Sequence, residues 1–144
     1  MPGATAGRRK AAACAVLALA AAAQAAEPRI GERLYREGLN ARSEPIRALV
    51  GMPPSPLLGG RAACGACHGG DGRGSPAAPD VRWSTLEAGA PSGDGTRLYS
   101  ERTFARSVNE GIDPRGAPVA ASMPRYSLSN SEIAALAAFL KTLR

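Results

Sequence analysis

This chain of 144 residues has one histidine, His68, three cysteines, and aromatics at only 4% of its positions. A single imidazole excludes chemistry that needs two, such as a paired-histidine zinc site or a distal histidine assisting peroxide cleavage. With Cys14 far from Cys64 and Cys67, no second cysteine pair exists to complete a four-ligand structural zinc. So few aromatics, beside 17 glycines and 12 prolines, exclude a large self-packed core. We find no strand-like alternation and no internal repeat, and a helical fold is the expectation.

What is present is concentrated in one run, Cys64-Gly65-Ala66-Cys67-His68. The C-x-x-C-H spacing suits covalent haem attachment: two thiols add to the vinyl groups on one haem edge, and the adjacent imidazole lies beneath the iron. The competing readings are weaker. Cys67 and His68 are neighbours, which makes chelation of one tetrahedral ion awkward. A thioredoxin-like dithiol needs a βαβ setting, and the Gly/Pro-rich flanks offer none.

Residues 1–25 read as a secretory signal that is removed. Arg8, Arg9 and Lys10 form a positive n-region, Ala11 to Ala23 an apolar h-region, and Ala23-Gln24-Ala25 a small-x-small cleavage site before Ala26. About 13 apolar residues, mostly alanine, are too few to span about 30 Å of hydrocarbon. Cys14 does not follow the h-region, as a lipoprotein anchor would, and the surroundings of Arg8-Arg9 lend little to a twin-arginine route. Removing the first 25 of 144 residues leaves 119, with both remaining cysteines in the haem motif and no transmembrane segment. Export agrees with that motif, so the expected location is the periplasm.

Without Arg8, Arg9 and Lys10 the formal charge falls from +6 to +3, too mild and too evenly spread to argue for nucleic acid. Fourteen of the 15 remaining basic residues are arginine, Lys141 being the exception, so any docking patch for carboxylates is built from guanidinium groups.

Residues 26–144 allow one small domain. The clearest helix runs from Asn130 to Leu143: Ser129 and Glu132 form an S-x-x-E capping box, and Ile133, Leu136, Leu140 and Leu143 share one face. A second runs from Glu101 to Glu110, with Ser100 as N-cap, Gly111 as its left-handed stop, and Phe104 and Val108 inward. A third spans Arg29 to Gly38 and buries Ile30, Leu34 and Tyr35; a short turn of helix follows Cys64. Residues 39–60 and 69–98 read as loop.

In this order, the Gly31-x-x-x-Tyr35 pattern, Cys64-x-x-Cys67-His68, Met123-Pro124 and the closing helix with Phe139 resemble the class I c-type cytochromes. The resemblance covers nearly all of residues 26–144. It implies an all-α fold wrapped around one covalently attached haem c, with Gly31 and Tyr35 packing against Phe139 where the first and last helices cross. The segment at 39–60 is longer than a minimal member has, and is an extra loop that covers a haem edge or binds a partner.

The resemblance also implies the iron site. His68 is the proximal ligand, its other ring nitrogen donating to a proline carbonyl, for which Pro79 is the better match by spacing and Pro76 the alternative. Both Met52 and Met123 precede proline, so the dipeptide does not choose between them. The family takes the sixth ligand from a loop just ahead of the last helix, which selects Met123, 55 residues after His68 and six before Ser129. Trp83 and Tyr126 are candidates for the pocket wall, a propionate hydrogen bond, or plain core. Arg82 and Arg125 either neutralise propionates or sit solvated at the surface.

With both axial positions filled, the implied role is a periplasmic one-electron carrier rather than an enzyme. Its protein partners would be a dehydrogenase or respiratory complex on one side and an oxidase or reductase on the other. A second reading is an obligate haem subunit of a periplasmic dehydrogenase, docking through 39–60. A third, a haem-based gas sensor or peroxidase, needs an open sixth position.

Overall fold

A computed structural model describes residues 27–89 and 99–144; the signal expected at 1–25 and the end of the 69–98 stretch lie outside them. The first helix, α1, spans residues 27–37. Gly31, Leu34, Tyr35 and Gly38 are buried, the i, i+3, i+4, i+7 face of one amphipathic turn series. Gly38 ends it in the left-handed region, with φ 67°.

The chain then does something the sequence reading missed. Residues 47–50 (β1, Arg47–Val50) and 55–58 (β2, Ser55–Leu58) form an antiparallel hairpin, with Arg47 opposite Leu58 and Val50 opposite Ser55. A two-residue strand, β3 (Arg125–Tyr126), pairs on the other side of β1, giving the order β2-β1-β3. The expectations of an all-α fold and of a plain loop at 39–60 are therefore corrected: the fold is mostly helical with a small sheet. Ile46 and Ala48 point inward while Arg47 and Leu49 point out, a period-2 pattern blurred by a small inward residue and an apolar outward one.

The remaining elements are helical. A 3-10 turn at Gly59–Ala62 leads into α2 (Gly65–His68), which carries the haem motif. The 69–98 stretch is not all loop, because α3 (Trp83–Ala88) forms within it, anchored by the buried Trp83. The fourth helix, α4 (Glu101–Asn109), begins at Ser100 with a reciprocal Ser100–Thr103 capping box, and Gly111 follows it at φ 72°. The last, α5 (Asn130–Leu140), has the Ser129–Glu132 capping box and stops one turn short of Leu143. Among the described residues no helix is long and apolar enough to cross a membrane.

The core is centred on the crossing of α1 and α5. Leu34, Tyr35, Leu136 and Leu140 are its largest fully buried side chains. A Cβ at Gly31 would lie 2.0 Å from the carbonyl oxygen of Ala135, so only glycine permits this approach. The rings of Tyr35 and Phe139 sit 5.4 Å apart, tilted by 48°. On the other side α4 packs on α5, and Trp83 meets Phe104 edge-on at 5.6 Å.

Candidate functional site

Between α2, α3, α4 and the segment 113–124 lies a cavity of about 580 Å³. Its walls are mostly apolar: Pro79, Val81, Leu86, Phe104, Val108 and Val119 are among the residues lining it. His68 and Met123 both line it, although they lie far apart in the chain. Met52 does not; it is 91% exposed, at the tip of the β1–β2 hairpin.

His68 is only 6% exposed. Its Nδ1 is 2.7 Å from the carbonyl oxygen of Pro79, the proline favoured by spacing over Pro76. A carbonyl only accepts, so the bond assigns the proton to Nδ1 and leaves the Nε2 lone pair to ligate. The loop that presents Pro79 is itself tied down. Gly74 N–H donates to His68 O at 2.9 Å, Ser75 Oγ donates to Cys67 O at 2.7 Å, and Tyr35 Oη donates to Gly69 O at 2.7 Å. Burial, the largest influence, raises the Tyr35 phenol well above its ordinary value, so it stays a donor to that carbonyl.

The two cysteines differ. Cys67 is exposed and lines the cavity, whereas Cys64 is half-buried and packs against the core. Burial pushes the Cys64 thiol up to about 11, offset in part by hydrogen bonds including one with Tyr126. A redox dithiol needs a thiol pulled down toward neutrality, so this environment disfavours the thioredoxin-like reading. One helical turn joins the motif, with Cys67 N–H bonded to Cys64 O at 3.2 Å and His68 N–H to the same oxygen at 2.9 Å.

Four other candidates turn out to be structural. Trp83 donates from Nε1 to Glu87 at 2.5 Å and carries Lys141 Nζ over its ring at 4.8 Å. Tyr126 is 5% exposed and donates to Ala62 O at 2.8 Å, pinning the approach to Cys64. Arg82 grips Asp80 through Nε, 3.2 Å and 3.0 Å from the two carboxylate oxygens. Arg125 donates to the carbonyls of Met123 and Val119. Among the described residues, the arginine that does line the cavity is Arg115, paired with Asp113 at 3.2 Å. Sequence reasoning passed over it because Asp113-Pro114-Arg115-Gly116 reads as an ordinary turn.

The donor set fits a haem. One buried imidazole with a fixed tautomer and one thioether sit on the wall of a largely apolar chamber, with a thiol at its edge. A cytochrome c family model matches residues 58–144, which is 87 of the 144. The chain belongs to the cytochrome c family. As a cytochrome c it carries covalently bound haem c, and the family is in general one of electron-transfer proteins. The match begins at the last residue of β2, so α1 and nearly all of the hairpin lie ahead of it. Searches of curated proteins and of solved structures returned no match.

Proposed function

We propose that this cytochrome c is a periplasmic one-electron carrier whose haem is held by thioethers from Cys64 and Cys67, with His68 and Met123 as axial ligands. The observation that carries the reading is the placement of His68 and Met123 on one apolar cavity of about 580 Å³. When bound, the haem supplies the Fe(III)/Fe(II) couple. The protein's part is to hold and to shield. The Pro79 carbonyl orients the His68 ring and raises its basicity. Met123 contributes a soft sulfur that favours the ferrous state. Phe104, Val108, Val119 and Leu86 keep the chamber dry. The periplasmic location rests on the basic and apolar segment at residues 1–25.

A carbon monoxide difference spectrum of the reduced, purified holoprotein tests this. The expected result is no prompt change in the wild type and in Met52→Ala, and prompt formation of a CO complex in Met123→Ala. Prompt CO binding by the wild type would overturn the carrier in favour of sensing or catalysis.

A second reading, a haem subunit of a periplasmic dehydrogenase, is favoured by the hairpin. Leu49, Met52 and Leu58, the exposed large hydrophobics among the described residues, all belong to it at 51%, 91% and 52% exposure. Leu49 and Pro56 pair across the outer face of the sheet, and Arg47 pairs with Leu58 beside them. A stable oxidoreductase partner that is lost in a Leu49→Asp, Leu58→Asp variant would select this reading over the free carrier.

A further inference from the structure

The segment that delivers Met123 is held from behind by one side chain. Arg125 has its backbone in β3, opposite Leu49 of β1, and its guanidinium turned toward the end of α4. There it occupies the space a side chain on Gly111 would fill: a Cβ on that residue would lie 1.8 Å from Arg125 Nε and 2.1 Å from Cζ. Gly111 is buried at φ 72°, and its N–H donates to Arg106 O at 3.0 Å and Ser107 O at 3.1 Å, so this peptide is a fixed platform. From that platform Nη1 donates to the carbonyl of Met123, and Nη2 to the carbonyl of Val119 at 3.4 Å. Val119 N–H returns to Gly111 O at 2.9 Å, which closes the ring of contacts.

Met123 and Val119 both line the cavity; Arg125 does not. We infer that Arg125 is a positioning residue that clamps the Met123 segment against the Gly111 turn and so holds the sixth ligand in place. The inference rests on Met123 being that ligand. The two bonded carbonyls sit at either end of the stretch 119–123, so one planar guanidinium fixes its two ends at once. Without the clamp, the ties that remain include the short β3–β1 pairing, Val119 N–H to Gly111 O at 2.9 Å, Gly51 N–H to Ala121 O at 3.3 Å, and Met123 N–H to Ala120 O at 2.9 Å. Opening of the segment then becomes easier by about tenfold, the weight of one hydrogen bond from a charged donor.

The test is the rate of CO binding to the reduced holoprotein, which is limited by how often the sixth ligand leaves. Arg125→Gln is expected to bind CO about tenfold faster than wild type. Arg125→Lys, which restores a charged donor without the fork, should fall between them. Gly111→Ala, which evicts the guanidinium without removing it, should match Arg125→Gln. Ser129→Ala, a capping variant that lowers stability through a bond that involves none of Arg125's partners, should leave the rate unchanged. An Arg125→Gln rate equal to wild type, or equal acceleration in Ser129→Ala, overturns the clamp. If Met123→Ala itself binds CO no faster than wild type, the ligand reading fails and the clamp falls with it. If Met123→Ala accelerates and Arg125→Gln does not, the clamp alone fails.

Discussion

Replacing Gly31 with alanine should cost this protein about 3 kcal/mol, although alanine is the better helix former. A Cβ at this position would meet Ala135 O at 2.0 Å, Ala135 C at 2.6 Å and Phe139 Cβ at 2.7 Å. Ordinary contact begins near 3.4 Å, so α1 and α5 must move apart by about 1.4 Å. The obstacle is backbone, which cannot rotate away, and overpacking of this kind lies at the upper end of a range of about 1–3 kcal/mol. The same shift separates the Tyr35 and Phe139 rings, now 5.4 Å apart, a pair worth about 1 kcal/mol. The gain in helix propensity returns about 1 kcal/mol, leaving a net loss of about 3 kcal/mol. For a domain of this size that is a fall in melting temperature of about 12 °C. Thermal unfolding of the holoprotein, followed by far-UV circular dichroism, measures it. Glu32→Ala is the control on the exposed face of α1; it loses only a half-exposed pair with Arg36 at 3.1 Å and should stay within about 0.5 kcal/mol of wild type. A fall of less than about 3 °C in Gly31→Ala would refute the close crossing.

Three further outcomes follow from the same contacts. Arg82's hydrogen bond, the largest influence, holds the Asp80 carboxyl below its usual value. Its contribution is therefore complete above the unfolded carboxylate value near pH 4 and is lost as pH falls through the lower folded value. The penalty of Asp80→Asn in urea unfolding should be present at about pH 6 and shrink below about pH 4; a pH-independent penalty would contradict the pairing. Tyr126→Phe leaves the fully buried Ala62 with an unpaired carbonyl oxygen, and denaturant unfolding should show a loss of about 1–2 kcal/mol. Ser129→Ala removes the α5 cap that accepts from Glu132 N–H, and should lower stability by about 1 kcal/mol in the same assay.

The parts that sequence alone determined are those written in short-range chemistry. Two cysteines three apart and a histidine beside the second specify α2 and its cofactor, because the bonds involved act within one helical turn. The N-cap at Ser100 and the capping box at Ser129 were legible for the same reason; the structure adds Thr103, which closes a box on Ser100. Pro79 was reachable too, since an 11-residue loop returns it to His68. The short α3 escaped notice because no side chain caps its start and one buried ring, Trp83, anchors it.

Long-range pairing decided the rest. All four residues of β1 pair with β2 in a local hairpin, and Ala48 and Leu49 also find Tyr126 and Arg125 across the chain, yet β1's own residues alternate too weakly to announce it. Met52 and Met123 share the same dipeptide, yet one is solvated on a hairpin tip and the other lines the cavity. The arginines sorted in the same way: Arg82 and Arg125 turned inward to local carboxylate and carbonyl partners, while Arg115 reached the cavity wall. Local sequence sets which group a residue offers, but where a flexible side chain lies depends on which distant backbone folds beside it, and that is settled only when the core closes.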